Sequence, residues 1–595
     1  MEKYINYLLL FLGISFSACS DFLEEDPKGK ISVNYLSTEK GMNDLVTSIY
    51  ANSRSVVQYL CDLGEMGTDL WTYAGSGEKD LTWYNTNELP NKGYLKDFWH
   101  YLYEGINNIN WGLNSINSMS FSDENKQQKI LGELHFFRAW YYYYIVETWG
   151  EGAHYTVEAL PIGTYTTIGV QKKISDFYKL ILSDIAVAIE KLPEPSEVIE
   201  YGRVHKAAAK ALKSRVLLAL AGYDDYAGQS VLSELADDKY PNLESIYKDV
   251  LVLSKELIEN YNFHLLDNLD DIFDVYNEHN DEVIFSIQFT TNTAFNTGLS
   301  SDNQTYPHKY WVSPHTKSAV DLSLVPGSRG HTNMYGREWM RNMPTRWYLS
   351  RFGKYDKRFA STFVWAWCKL KSDEDVSVNY LNPAKVTVKC DTVLVRLPYK
   401  YEGDRTRVPY VINDIDDMYD EKTGFPNPNG RQCYNTLKKF LDPTRLAPKD
   451  ERSYKDVIIF RLGEIYLNAA EAAWRLGDNE TSVGYIKELR KRAVVMGHEH
   501  ELEIESSDLN LDLLLDERAL EMGGEFIRWF DLKRTRKLIE RTLKYNPDAR
   551  SSADGNIYGN GQISDIHYVR PIPQYEMDNI MNRSEFIQNP GYPTK

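Results

Sequence analysis

The stretch KILGELHFFRAWYYYYIVETWG, residues 129–150, decides the fold class of this chain. Its apolar and aromatic residues recur in alternating steps of four and three, a spacing that places side chains on one face of a helix. That face contains Ile130, Leu134, Phe137, Tyr141, Tyr144 and Thr148. Gly150 follows as a residue that commonly ends helices. The stretch therefore predicts a long helix over residues 127–149.

The same helical pattern recurs elsewhere in the chain. GRVHKAAAKALKSRVLLALAG, residues 202–222, is rich in alanine, which indicates that helices approach each other closely. Near residue 460 an apolar stripe runs up to the turn GDN, residues 477–479, and a second stripe begins after it. We predict helices over residues 205–221, 456–476 and 482–496, packed as antiparallel pairs that resemble tetratricopeptide units.

The composition changes in the middle of the chain, which is rich in Pro, Gly, Asn and Tyr and has only short strand-like runs such as EVIFSIQF. The sequence thus predicts a mostly α fold, a tetratricopeptide-like scaffold of helix pairs that carries a loop-rich part with short strands. We divide it into a leader (1–18), a tether (19–30), a helical region (31–265), a loop-rich region (266–451), further helical pairs (452–545) and a loop-rich tail (546–595).

The N-terminus has the layout of a secretory signal peptide. The apolar run LLLFLGISF, residues 8–16, is too short to span a bilayer, and the small residues Ser17 and Ala18 follow it. Cys19 stands where a bacterial lipoprotein carries its lipidated cysteine, and a plain signal peptide is the alternative. No other apolar stretch approaches eighteen residues. We predict cleavage before Cys19 and anchoring through its acyl chains.

Composition excludes some classes of partner. The chain has 595 residues, with 67 Lys and Arg against 85 Asp and Glu, and this net charge of −18 disfavours nucleic acid. The other cysteines are Cys61, Cys368, Cys390 and Cys433, and no CxxC spacing indicates zinc. A bridge between Cys368 and Cys390 and free buried thiols both remain open.

Six blocks in one order carry a resemblance to a known family. They are CSDFLEEDP (19–27), GELHFFRAWYYYYIVETWG (132–150), GRVHKAAAKALKSRVLLALAG (202–222), IIFRLGEIYLNAAEAAWRLGD (458–478), LLDERALEMGGEFIRWFDLKR (514–534) and PIPQYEMDNIMNRSEFIQNPGY (571–592). Together they resemble the SusD/RagB family of outer-membrane lipoproteins over nearly the whole chain. The middle region, about residues 265–450, contributes least to this resemblance.

The resemblance implies a fold and a function. Members are cell-surface glycan-binding lipoproteins that act with a SusC-like TonB-dependent transporter in the uptake of oligosaccharides. Their fold is mostly α, with four tetratricopeptide-like helix pairs that support a loop-rich ligand-binding part, and they are not enzymes. We expect no cofactor in this chain. The acidic residues that follow Cys19 resemble the signal that sends such lipoproteins to the outer face of the outer membrane. This chain is therefore expected to be lipid-anchored and exposed at the cell surface.

Aromatic residues in turn-rich segments are the candidates for glycan binding. A flat ring matches the apolar face of a sugar, whereas Asp, Asn and Arg match its hydroxyl groups. Two segments supply the candidates, which are Asp69, Trp71, Tyr73, Trp83 and Asn85 in the first and Asn303, Tyr306, Tyr310 and Trp311 in the second. We expect Trp71, Trp83 and Trp311 to form one exposed platform. The alternative for each ring is a place in the core.

A third set of candidates, Tyr335, Arg337, Trp339 and Trp347, lies further along the chain. Trp365 and Trp367 alternate in a strand-like run, so at most one of the two faces is expected to be exposed.

The sequence contains neither a GxSxG nor an HExxH motif, and no carboxylate pair stands out. His498 and His500, and the acidic residues 414–421, are interpreted as solvated loops rather than metal sites. The charges of residues 514–534 are interpreted as a structural salt-bridge network. Three hypotheses remain, which are glycan capture, capture of a peptide or glycopeptide on the same fold, and glycan degradation.

Overall fold

The computed structural model describes residues 33–160, 167–198, 200–290, 307–313, 331–332, 334–368, 376–378, 386–388, 391–427, 430–445, 453–552 and 560–593. Helices account for most of the regular structure in these ranges. In chain order they are α1 Val33–Leu36, α2 Glu39–Leu63, α3 Lys79–Trp83, α4 Gly93–Ile116, α5 Glu124–Trp149, α6 Ile174–Lys191, α7 Lys206–Asp225, α8 Val231–Leu235, α9 Leu243–Glu259, α10 Pro307–Tyr310, α11 Arg346–Ser350, α12 Arg358–Thr362, α13 Ile415–Met418, α14 Leu462–Arg475, α15 Asn479–Ala493, α16 Leu511–Met522, α17 Arg528–Arg534, α18 Leu538–Tyr545 and α19 Gln574–Asn579.

The strands are short and form small sheets. They are β1 Trp71–Tyr73, β2 Val283–Ile287, β3 His331–Thr332, β4 Gly336–Arg337, β5 Asn342–Pro344, β6 Phe363–Val364, β7 Ala366–Cys368, β8 Val376–Val378, β9 Val386–Val388, β10 Thr392–Arg396, β11 Val411–Asn413, β12 Thr436–Leu437 and β13 Val457–Arg461. The pairs β1–β5, β2–β13, β3–β4, β6–β12 and β8–β9 are antiparallel. β10 lies between antiparallel β7 and parallel β11.

The first two helix pairs are antiparallel, as their side-chain contacts show. In α2 and α4, Asn52 donates to Glu104 at 3.0 Å and Tyr59 to Asp97 at 3.3 Å, so the end of α2 lies beside the start of α4. In α5 and α6, Asp184 contacts the middle of α5, whereas Tyr178, near the start of α6, donates to Glu147 near the end of α5 at 2.7 Å.

Two more pairs complete the scaffold. Lys213 of α7 contacts Asp249 of α9 at 2.8 Å, and Tyr247 of α9 donates to Asp225 at the end of α7, so these helices are also antiparallel. α14 and α15 are joined by residues 476–478, in which Gly477 has a φ of +81° that favours glycine and reverses the chain. The predicted helix pairs are confirmed.

One predicted helix boundary is wrong. Residues 457–461 form strand β13 and not the first turn of the helix expected over 456–476, and α14 begins at Leu462. The run VIIFR contains three β-branched residues and pairs with β2, and this pairing overrides the helical continuation of the pattern.

Helix α5 is buried on nearly every side from Ile130 to Trp149 and not on one face alone. It contacts α4 on one side and α6 on the other. A helix enclosed in this way can be apolar all round, which explains the run of four tyrosines from Tyr141 to Tyr144 as core. One continuous hydrophobic core extends from Leu36 to Tyr592.

The charged residues of 514–534 form the predicted structural network. Arg461 contacts Glu282 at 2.9 Å, Glu521 at 2.7 Å and Glu525 at 2.7 Å, and Lys439 also contacts Glu525 at 2.6 Å. All five side chains are buried. A buried charge that loses its partner is left uncompensated, which is costly. The network therefore favours the packing in which every charge keeps its partner.

The same segment reaches other elements through further buried pairs. Glu517 binds Arg358 of α12 at 2.7 Å and Arg490 of α15 at 2.7 Å, and Arg518 binds Asp531 of α17 at 2.8 Å. Burial alone would raise the pKa of Glu517, but the two arginines outweigh it and lower the pKa. The carboxylate therefore stays charged inside the protein.

The loop-rich middle contains only short helices and two- to five-residue strands in its described parts. Cys61 and Cys433 are buried and form no disulfide bond. Cys390 lies outside the described residues, so the pair with Cys368 is untested. Among the described residues, no helix is both long and apolar enough to cross a membrane. The division of the chain into six segments stays a prediction.

Candidate functional site

The three aromatic segments that the sequence predicts as binding loops meet in the structure. β1 pairs with β5, so Trp71 faces Pro344 and Tyr73 faces Asn342. The ring centroids of Trp71 and Trp311 are 5.6 Å apart. The segments around residues 70, 310 and 340 therefore lie together in the fold.

Trp71 and Trp311 are nevertheless core residues, so the prediction that they form an exposed platform is wrong. Their side chains are 0% and 1% exposed. Trp71 packs against Tyr348 and Phe363, and Trp311 stacks on Phe440 with centroids 5.5 Å apart. The two rings exclude water from the face that they share. The free energy gained by burying this apolar area outweighs the tendency of the polar segments around them to stay in solvent.

Asp69 is also placed differently from its prediction. Its carboxylate is buried and accepts hydrogen bonds from Arg528 at 2.6 and 2.8 Å and from Arg541 at 2.7 Å. Burial alone would raise the pKa of Asp69, but the two guanidinium groups outweigh it and lower the pKa. Asp69 belongs to the structural network and has no free oxygen to offer a sugar.

Trp83 forms the first half of the surface that remains. Tyr73 is buried in the core behind it, so the prediction that Tyr73 is an exposed binding ring is wrong. Their rings meet edge to face with centroids 5.8 Å apart, and Lys79 lies 5.7 Å from each ring centroid. Arg431 covers one face of Tyr73 at 3.8 Å and is held there by Asp548 at 2.6 Å. Trp83 is half-buried, so part of its ring is open to solvent.

Trp339 and Tyr310 form the second half. The Lys309 ammonium lies 3.7 Å from the centroid of the Trp339 ring, and the Arg341 guanidinium lies 4.4 Å from that of Tyr310. The Ala74 amide donates to the Arg341 carbonyl at 2.7 Å and joins the two halves. We call Trp83, Tyr310 and Trp339, which are half-buried, the aromatic surface.

The cations that border this surface have no signal in the sequence. Arg431 is separated from Tyr73 by 358 residues, and no motif surrounds it. Lys79 is exposed, and it has no ion pair or hydrogen bond within the described part of the chain. The aromatic segments could be found from the sequence. The cations could not, because their contacts with the rings depend on tertiary packing.

The other predicted residues fall in different places. Asn85 is half-buried and donates to Asp80 at 2.9 Å. Asn303, Tyr306 and Cys19 lie outside the described residues. Any role of these side chains in binding stays a prediction.

The third set divides in two. Tyr335 is buried and accepts from the Cys368 amide at 2.8 Å, whereas Trp347 stacks on Tyr545 with centroids 4.2 Å apart and does not belong to the aromatic surface. Trp365, which precedes β7, is 39% exposed, whereas Trp367 within β7 is buried, so the two rings do not share one exposed face.

The candidate metal ligands have other contacts. His498 stacks on Tyr355 with centroids 3.6 Å apart, and Asp414 caps α13 and pairs with Arg405. Within the described ranges, no three His, Cys, Asp or Glu side chains come together as a metal site.

A scaffold of antiparallel helix pairs that carries a loop-built aromatic surface defines a class of binding protein. A family model described as "SusD family" matches residues 281–592, and a model described as "Starch-binding associating with outer membrane" matches residues 21–218. The first match covers more than half of the chain. The chain therefore belongs to the SusD family.

Similar proteins agree with this membership. "SusD-like protein P25" of Formosa agariphila is 23% identical, with 97% of this chain and 96% of that protein covered. "SusD-like protein P2" of the same species is 22% identical over the full length of both chains. A SusD homologue from Bacteroides thetaiotaomicron superposes with a TM-score of 0.65 at 19% identity, covering 94% and 98%. A solved "Laminarin binding SusD-like protein" has a TM-score of 0.59 at 19% identity, covering 93% and 100%.

Proposed function

We propose that this protein is a cell-surface lipoprotein that captures oligosaccharides or polysaccharides on the aromatic surface. One observation carries the proposal. Segments far apart in the chain bring together the half-buried rings of Trp83, Tyr310 and Trp339, beside the exposed ammonium group of Lys79. Flat rings beside polar donors match the two kinds of surface on a sugar.

The relatives support a carbohydrate ligand. One structural neighbour is a laminarin-binding SusD-like protein, and the N-terminal family model is described as starch-binding. The carboxylates that border the aromatic surface support binding over catalysis. Asp62 and Glu78 contact Arg341 at 2.9 and 3.6 Å, and Asp548 contacts Arg431 at 2.6 Å, so none is left as an unpaired general acid or base.

The proposal includes a lipid anchor at Cys19 and a SusC-like TonB-dependent transporter as partner. Cys19 precedes the first described residue, Val33, by fourteen positions. An extended chain of this length spans at most about 50 Å. A protein tethered in this way stays beside a barrel in the same membrane and can pass bound glycan to it. The "associating with outer membrane" description of the matching family model supports this location.

The experiment uses affinity electrophoresis of the soluble mature chain in gels that contain laminarin, starch or another polysaccharide. Trp83→Ala and Trp339→Ala should each weaken retention by roughly five- to 150-fold, the range for loss of a stacking ring worth about 1–3 kcal/mol. Trp365→Ala is the matched control, because Trp365 is an exposed tryptophan outside the aromatic surface.

Thermal unfolding should be unchanged in all three variants, since half-exposed rings contribute little to the core. Normal retention of both site variants would show that the glycan binds elsewhere. Retention of peptides instead of glycans would favour peptide capture. Release of reducing ends from a retained polysaccharide would favour an enzyme.

A further inference from the structure

A second cleft lies away from the aromatic surface, on the scaffold side of strand β2. It has a volume of about 250 Å³. Its walls are the loop between α6 and α7, the residues that follow α9, and the residues that lead into β2. We call it the β2 cleft and define it by Tyr201, His205, Asn262, Phe263, His279 and Asp281. This volume lies just below the usual range of about 300–1,000 Å³ for ligand sites in proteins, which suits a ligand of one ring.

A fixed aromatic plane lies at the cleft. The rings of Tyr201 and His279 stack with centroids 3.3 Å apart and planes 22° apart. The Tyr201 hydroxyl donates to the Glu278 carbonyl at 3.1 Å, yet 41% of the residue is exposed. An exposed ring that is already held in one orientation loses little conformational entropy when a ligand stacks on it.

The backbone beside this ring is shaped for the cleft. Gly202 has a φ of +86°, and a Cβ there would lie 2.4 Å from the side chain of Gln288. Only glycine fits this position without strain, and it lets the loop turn so that Tyr201 lines the cleft.

Three exposed polar side chains line the cleft and have no hydrogen-bond partner among the described residues, namely Asn262, His279 and Asp281. Burial lowers the pKa of His279, so at neutral pH the imidazole is uncharged and has one donor and one acceptor. The amide of Asn262 adds donors and an acceptor, and the carboxylate of Asp281 adds acceptors. These groups complement hydroxyl groups, which both donate and accept.

The charges of the cleft narrow the ligand class. Arg203, the arginine that lines it, is engaged by Glu200 at 2.9 Å and Glu133 at 3.4 Å. The free charge among its described lining residues is the carboxylate of Asp281, which repels anions. An aromatic plane with uncharged donors and acceptors and without a free cation fits a neutral sugar ring better than a uronate or a sulfated sugar.

We propose that the β2 cleft binds one neutral saccharide unit, as a site separate from the aromatic surface. Tyr201 and His279 supply the stacking plane, and Asn262 and Asp281 bind the hydroxyl groups. The β2 cleft is a second site on the same chain, so an experiment can support binding at one of the two sites and exclude it at the other.

Saturation-transfer NMR on the full mature chain tests the proposal, with the methyl glycosides of glucose, galactose and mannose and the methyl glycoside of glucuronic acid as probes. At least one neutral glycoside should receive saturation, and the glucuronide should receive less. His279→Ala and the double variant Asn262→Ala/Asp281→Ala should each reduce the signal by at least about threefold, since each removes groups that bond to the ligand.

Tyr276→Ala is the matched control, because Tyr276 is an 80% exposed aromatic residue of the same segment that does not line the cleft. It should leave the signal unchanged. The cleft variants are compared with it in a Trp83→Ala background, so that binding at the aromatic surface does not contribute to the signal. The proposal is overturned if no neutral glycoside receives saturation, if the cleft variants bind normally, or if the glucuronide binds best. If Trp83→Ala abolishes the signal while the cleft variants keep it, glycan capture at the aromatic surface stands and the β2 cleft is excluded.

Discussion

Arg528 donates two hydrogen bonds to Asp69, from Nε to Oδ1 at 2.8 Å and from Nη2 to Oδ2 at 2.6 Å, across 459 residues of sequence. The pair joins the first predicted binding segment to the charged network near the C-terminus. Arg541 contacts the same carboxylate at 2.7 Å. A buried charge cluster thus holds the segment that leads into the aromatic surface against the scaffold. Variants at these charges should change stability, whereas variants at the half-buried rings should change binding.

Asp69→Asn should lower the free energy of unfolding by about 3–5 kcal/mol, because it leaves two buried arginines without their counter-charge. Urea unfolding measures the change. Asp97→Asn is the control. Asp97 forms a surface pair with Lys96, such pairs contribute about 0–1 kcal/mol, and the amide oxygen of Asn can still accept the hydrogen bond from Tyr59. If the variant is as stable as the native chain but has lost glycan retention, Asp69 is a glycan-binding residue instead.

Trp71→Ala should destabilise the protein by about 3–5 kcal/mol, the cost of removing a large ring from a packed core. Its ring is fully buried against Trp311 and Tyr348. Trp365→Ala, at an exposed ring, should change stability little. Denaturant midpoints of the two variants decide the matter, and equal midpoints would mean that Trp71 is not part of the core.

These two predictions mark where the sequence was informative and where it was not. Periodicity predicted the helix pairs, since a stripe of apolar residues such as that of α5 has few other solutions. It did not separate Trp71 from Trp83, because both lie in short turn-rich runs in which no period is defined. Tertiary packing alone places the Trp71 ring against Trp311 and leaves the Trp83 ring half-buried. Arg431 was missed for the same reason.

Gly105→Ala tests the close approach of α4 and α5. A Cβ at Gly105 would lie 2.1 Å from Cε2 of Tyr141, and that ring cannot move freely because it is buried and its hydroxyl donates to Asn52 at 2.8 Å. We expect destabilisation of about 1–3 kcal/mol by overpacking.

Gly484→Ala is the matched control for this prediction. Gly484 also lies inside a helix, α15, but nothing stands within 4 Å of its added Cβ. The alanine should therefore stabilise the protein by about 0.5–1 kcal/mol through helix propensity. Calorimetric melting of both variants gives the comparison, and shifts of the same sign would contradict the packing argument.

Cys19→Ala should abolish lipidation and release the protein from the outer-membrane fraction. Several acyl chains on one residue anchor a protein stably, at about 0.8 kcal/mol per buried methylene, and no described helix can replace them. Membrane fractionation with metabolic labelling by a palmitate analogue measures both effects. Ser17→Ala is the control, because it keeps a small residue before the cysteine and should leave labelling intact. A Cys19→Ala protein that still fractionates with the outer membrane would show that another anchor exists.

Glu65→Gln should stabilise the protein, increasingly so as the pH rises. Burial raises the pKa of the Glu65 carboxyl from 4.5 to about 8, against the opposing charge of Arg528. Because the folded-state pKa lies above that of the unfolded chain, the contribution of this group to stability is fully present below pH 4.5 and is lost as the pH rises towards 8. Glutamine is neutral throughout and escapes this loss. The gain of the variant over the native chain should be near zero at pH 4.5 and up to about 3 kcal/mol at pH 7. Urea unfolding between pH 5 and 8.5 measures it, with Glu88→Gln as a control at an exposed glutamate. A difference that is independent of pH would mean that Glu65 is ionised in the folded protein.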